Sequence, residues 1–342
     1  MNNQPIAATA VSERTIERAS YLSVALVLFV VGHYGLATPF ITILFSSLIL
    51  YFLGKRFSKP IAVLAFVILN LLLFYLFVHF IGEAVRALPV AATKSVPIVV
   101  EWANSYGINL PFTNPESLKE FALEGIKEQL RDVAKFAEIF TKESVYVIIG
   151  IVAACGLFTT PHLDLGRDSY AIRNNVYSVY AQKLTDRFSL FFESFRTVMG
   201  AQLAISTVNT FFTGLFVVAL SLFGTPLPYS FVIVVITFLC GILPIVGNLI
   251  SNTVIFSIGL TQSAHLAIIS LLYLIVLHKF EYFLNSKIIG GRIKNPMWIT
   301  LLGLLAGERL MGIPGMILAP VILNYVKLEG TRVTTTTENP QL

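Results

Sequence analysis

Residues 60–82, PIAVLAFVILNLLLFYLFVHFIG, contain no Asp, Glu, Lys or Arg. A helix of about 20 such residues matches the hydrocarbon thickness of a bilayer. Apolar stretches near that length recur between positions 21 and 325, too many for a soluble core of this size to bury. The composition agrees: 56% of the 342 residues are hydrophobic and 13% charged, where an average soluble domain carries roughly a quarter charged. Mean hydropathy is +0.78. These features predict an all-α polytopic membrane protein of about eight membrane-inserted helices, with broken helices and at least one re-entrant hairpin.

The net charge of +5 does not point to nucleic acid, because the basic residues sit mostly at the ends of apolar segments, where they report topology. Cys155 and Cys240 lie in apolar stretches without CxxC spacing and read as small core residues. Residues 1–20 are polar and lack a basic region followed at once by an apolar core. A cleaved leader is therefore not expected, and the first hydrophobic run should stay as a helix.

Residues 21–82 form the first membrane segment. Gly32, His33, Gly35 and Pro39 interrupt 21–53, which suits two short helices joined by a turn, and 60–82 then leaves the cytoplasm. Residues 83–143 are a polar insert with an acid excess, expected on the outer side. Within it TNPESLKEFALEGIKEQLRDVAKFAEIF is amphipathic, with Asn114 as a cap and Pro115 at the first helical position. Residues 144–160 return through the membrane. Residues 161–196 carry Arg167, Arg173, Lys183, Arg187 and Arg196 and are expected to be a cytoplasmic amphipathic helix, with an aromatic stripe from Tyr177 running into the next span. Residues 197–326 are the C-terminal membrane core, and 327–342 a cytoplasmic tail. Both termini are placed in the cytoplasm.

Inside that core, Gln202, Ser206, Thr207, Asn209, Thr210 and Thr213 crowd one helix. Polar side chains in hydrocarbon need partners, so they face other helices or a wet path. Pro244 and Gly247 break the following helix, and Asn248 and Asn252 share a face if helix resumes there. A broken backbone at membrane depth survives only when buried in protein or lining a cavity. The chain then passes a basic loop with Lys279, Lys287, Arg292 and Lys294 and enters a last apolar run split by Glu308 and Arg309. A hairpin with its tip at Gly307 to Gly312 explains the interruption. Its tip is either inside the membrane, where the two charges need each other, or a wet turn. Pro314, Gly315 and Pro320 read as further helix breakers.

The residues GAQ at 200–202, GILPIVG at 241–247, Phe280 and Glu281 followed by KIIG at 287–290, Pro296, and LMGIPGMILAP at 310–320 resemble the autoinducer-2 exporter (AI-2E) family of bacterial membrane transporters. The tract from Phe280 to Pro320 is specific in combination, and the likeness is strong over about the last 145 residues; the front half agrees in layout. Where the family commonly has Gly-Pro after the broken helix, this chain has Gly247 and Asn248. The resemblance implies a multi-pass protein of the bacterial inner membrane, associated with export of the quorum signal autoinducer-2 or with sodium/proton exchange.

No GxxxxGK[ST] loop is present, so transport would draw on a gradient. Three readings stand: a secondary transporter exporting a small polar molecule, a sodium/proton antiporter, and a passive channel or scaffold. An enzyme is not expected, since the five histidines show no HExxH spacing and no GxSxG elbow occurs. Neither a cofactor nor a metal is expected. The pathway residues are expected to be Gln202, Asn209, Pro244, Gly247, Asn248, Asn252, Glu281, Glu308 and Arg309, with Gly307, Gly312, Pro314, Gly315 and Pro320 shaping the hairpin backbone. The expected partners are the lipid bilayer, a small polar solute or monovalent cation, and further copies of the chain.

Overall fold

The computed structural model describes residues 11–79, 82, 133–160, 175–244, 246–288 and 296–332. Among them every regular element is a helix: α1 Glu13–His33, α2 Ala37–Arg56, α3 Lys59–His79, α4 Val133–Thr159, α5 Val176–Leu222, α6 Ser230–Gly241, α7 Val246–Leu260, α8 Ala264–Ile288, α9 Met297–Met311 and α10 Ile313–Gly330. The amphipathic stretch of the polar insert lies outside the described residues up to position 132, as does the tail beyond Arg332.

Among the described residues, six helices can cross a membrane by length and composition: α1, α2, α3, the Thr141–Thr159 part of α4, α5, and the Ala264–Glu281 part of α8. The helices α6 and α7 are apolar but only 12 and 15 residues long. Leu64, Ile68, Leu71, Phe74 and Tyr75 of α3 stand exposed. Water would reject such a surface, whereas lipid accepts it.

The chain forms two compact units. The first comprises Met1–Tyr51, Tyr146–Arg196 and Asn295–Leu342. In it α1 starts eight residues ahead of the apolar run at Tyr21, because Ser12 caps it by accepting from the Thr15 N–H and Glu13 favours its positive end. The turn at Gly35, φ 66°, returns the chain into α2. Gly150 of α4 lets the backbone approach α2, since a Cβ there would lie 2.7 Å from Thr42. Phe45 meets Phe195 edge-on at 5.1 Å, and Leu48, Leu50, Phe195, Leu318 and Val321 are fully buried.

The hairpin of the first unit differs from the expected one. Helix α9 continues through Gly307, Glu308 and Arg309 and stops at Met311, so the tip is the single residue Gly312, with φ 64° and ψ −146°. A side chain at that φ is strained, which makes glycine the natural stop. Gly307 is a packing residue: a Cβ on it would lie 2.3 Å from the Gly315 carbonyl oxygen, and the two helices touch through these glycines. Pro314 sits in the first turn of α10, where its missing N–H costs nothing, and Pro320 lies within α10 without ending it. These prolines are accommodated in a continuous helix and do not break it.

The second unit comprises Phe52–Val145 and Thr197–Lys294. Its apolar core joins Val217, Leu220, Leu227, Ile233, Ile255, Ile258, Leu266 and Leu274. Phe216 stacks flat on Tyr273 at 4.0 Å, and the Tyr273 hydroxyl lies 3.0 Å from Thr213 Oγ1. Helix α5 is continuous for 47 residues, so the stripe from Tyr177 and the span that follows are one element.

Candidate functional site

The site in the second unit starts from the interruption between α6 and α7. Pro244 lacks an N–H, so the helix cannot propagate through it. The turn is closed by the Leu243 N–H donating to Cys240 O at 2.8 Å and the Gly247 N–H donating to Leu243 O at 3.2 Å. Helix resumes at Val246, which places Gly247 in the first turn of α7 and not in the break itself. Its missing side chain is still required, because a Cβ there would lie 1.7 Å from the Cys240 carbonyl oxygen.

Two neighbours on α5 hold the end of α6. Gln202 Nε2 donates to Gly241 O at 2.7 Å, and Ser206 Oγ donates to Phe238 O at 2.7 Å. Gly241 allows this approach, since a Cβ would meet Ser206 Oγ at 2.6 Å. Carbonyls freed at a helix end are thus satisfied by side chains from another helix, as buried backbone requires.

Once α7 is helical, Asn248 and Asn252 face α8 one turn apart. Asn248 Nδ2 donates to Glu281 Oε1 at 2.6 Å, and Asn252 Nδ2 lies 2.5 Å from His278 Nε2. From α5, Asn209 Nδ2 donates to Glu281 Oε2 at 3.1 Å. His278, one turn before Glu281, brings its Nδ1 to 3.6 Å from the same carboxylate. Glu281 is 8% exposed. Taking a carboxylate out of water costs several kcal/mol, and two hydrogen bonds to it offset about 3–6 kcal/mol. Asn209 is buried, and its Oδ1 has no hydrogen-bond partner. A carboxylate and a spare carbonyl oxygen are thus held together beside a broken helix. Among the described residues no cluster of His, Cys, Asp or Glu has metal-binding geometry.

Of the sequence-predicted residues, Gln202, Asn209, Pro244, Gly247, Asn248, Asn252 and Glu281 are gathered in this unit. Glu308 and Arg309 belong to the first unit, at the last turn of α9, where Arg309 Nε lies 3.9 Å from Glu308 Oε2 and both side chains are at least half exposed. His278 was not singled out by the sequence. Its i,i+3 spacing to Glu281 was the available signal.

The sequence model of the family described as AI-2E family transporter matches residues 21–328. The chain belongs to the AI-2E transporter family. The match reaches the front half, where the residues alone had agreed only in layout. A relative from Bacillus subtilis (strain 168), named "Putative transport protein YdbI", is 26% identical over 150 residues. That alignment spans 43% of this chain and 41% of the relative. Family membership and six apolar helices make this AI-2E protein a multi-pass membrane protein of the transporter class.

Proposed function

We propose that this chain is a gradient-driven secondary transporter that exports a small polar molecule, with autoinducer-2 as the first solute to test. The observation that carries the reading is Glu281, a buried carboxylate met by amides from two helices beside the α6–α7 break. Broken helices place backbone ends and amides where a solute can replace water, and packed segments can rock around such a point. In this reading Asn209, Asn248 and Asn252 bind solute hydroxyls, Gln202 steadies the backbone of the break, Pro244 forms it, Gly247 lets α7 pack against the end of α6, and Glu281 carries the coupling charge. Glu308 and Arg309, with the Gly307, Gly312, Pro314, Gly315 and Pro320 hairpin, belong to a moving part. Basic residues flanking the spans favour the bacterial inner membrane with both termini cytoplasmic.

A sodium/proton exchange reading is favoured by the same carboxylate together with the unpartnered Asn209 Oδ1, since two oxygens of this kind suit a hard monovalent cation. The deciding experiment uses proteoliposomes of the purified chain, with empty liposomes as baseline. Labelled autoinducer-2 flux that rises with an imposed proton gradient supports export. Sodium-dependent proton movement without that flux supports exchange, flux indifferent to any gradient indicates a channel, and no movement by folded protein leaves a scaffold.

A further inference from the structure

In the first unit, α5 and α10 meet along an antiparallel seam whose two ends differ in chemistry. At one end Ser194 Oγ donates to Val321 O at 2.8 Å and accepts from Asn324 Nδ2 at 2.9 Å. In the middle Phe191 packs edge-on against Tyr325 with centroids 5.5 Å apart. At the other end Arg187 Nη1 donates to Glu329 Oε1, while Arg187 Nη2 reaches Glu17 Oε1 of α1 at 3.2 Å. The Arg187 guanidinium also covers the Tyr21 ring at 3.9 Å, a cation–π geometry. One side chain therefore ties α10 to both α5 and α1.

The ends also differ in how fully they are satisfied. The Ser194 hydroxyl both donates and accepts. Arg187 and Glu329 are only 9% and 6% exposed, yet Arg187 Nε is buried without a partner, and the Tyr325 hydroxyl beside the Glu329 carboxylate falls short of good hydrogen-bond geometry with it. A buried ion pair returns little more than its desolvation cost even when every lone pair and proton is used. With its hydrogen-bonding capacity only partly used, the charged end is held weakly against hydration. Water has a route: a half-open cavity of about 320 Å³ lies against Arg187, lined by Glu17, Lys183, Asp186, Glu193 and Arg332 among others. Its charges are of both signs and select no ligand class, but they make it wet.

We propose that Arg187 and Glu329 form a breakable latch, and that α10 pivots at the Ser194 contact between a latched state and one in which both charges are hydrated through the cavity. Gly307 and Gly315 bring the α9 and α10 backbones into direct contact, and in this proposal the hairpin moves as one piece. A coupling of this kind needs a bistable element and differential contacts in its two states; here the element is the hairpin and the contacts are the ion pair and its hydration.

The test needs no transport substrate, so it stands apart from the reading of the second unit. Cys155 and Cys240 are replaced by alanine, spin labels are placed at Thr185→Cys and Val326→Cys, both exposed, and distances are measured by pulsed electron resonance in proteoliposomes. The full chain is expected to show two distance populations. Glu329→Gln should shift their ratio at least tenfold toward the longer distance. The paired change Arg187→Met with Glu329→Leu, which replaces the charges by apolar side chains, should leave one short distance. A single narrow distribution in the unchanged pair that the double replacement does not alter overturns the latch, whether or not Glu329→Gln yields folded protein.

Discussion

Glu281 and Glu329 are buried to nearly the same degree, 8% and 6% exposed, and each receives side chains from other helices. Their partners differ in kind. Glu329 is met by a guanidinium that cancels its charge and stacks on an aromatic ring. Glu281 is met by two carboxamides, with an exposed histidine at 3.6 Å. Amides orient a carboxylate and lower its self-energy without removing its charge, so the second cluster keeps an electrostatic demand that the first has spent internally. Both acids join helices, and Glu281 is the one we propose meets a ligand. Burial alone does not distinguish them, and only the identity of the donors does.

Four substitutions break or sharpen that contrast, and their expected effects fall in the order given. Arg187→Ala leaves Glu329 buried without its cation and should cost about 3–5 kcal/mol in reversible unfolding in mixed micelles. Gly247→Ala drives a methyl into the Cys240 carbonyl and should cost about 3 kcal/mol, read the same way, while misplacing Asn248. Glu281→Gln removes the charge but keeps a side chain of the same shape. It should cost only about 1–2 kcal/mol in unfolding yet lower flux in proteoliposomes at least tenfold. If flux survives this change, Glu281 is as structural as Glu329 and the contrast fails. Glu308→Gln alters an exposed group and should move stability by no more than about 0.5 kcal/mol, with flux within twofold of the parent chain.

Much of this was legible along the chain because it depends on local physics. Pro244 within an apolar run predicts a helix break, and the four-residue spacing of Asn248 and Asn252 predicts a shared face once helix resumes; both hold. Glu281 could be named because Phe280 and Glu281 belong to the motif set that carries the family resemblance. Gly307 was misread for an equally local reason. A glycine at a turn and a glycine where two helices touch look the same in one dimension, and only the Gly315 carbonyl opposite it tells them apart. The prolines at 314 and 320 were misread likewise, since a helix tolerates proline in its first turn and a buried helix can carry one within.

The Arg187 cluster was not legible at all. Its members Glu17, Arg187 and Glu329 are 170 and 142 positions apart, and each alone resembles an ordinary charge near the end of a span. The sequence by itself determined that the chain is helical and inserts in a membrane, since backbone groups in hydrocarbon must be satisfied within each segment and the apolar lengths match a bilayer. It also determined where α6 must stop. Which acid is met by a cation and which by amides was decided by the tertiary structure, because hydrogen bonds and ion pairs act over a few ångströms and only packing brings distant helices that close.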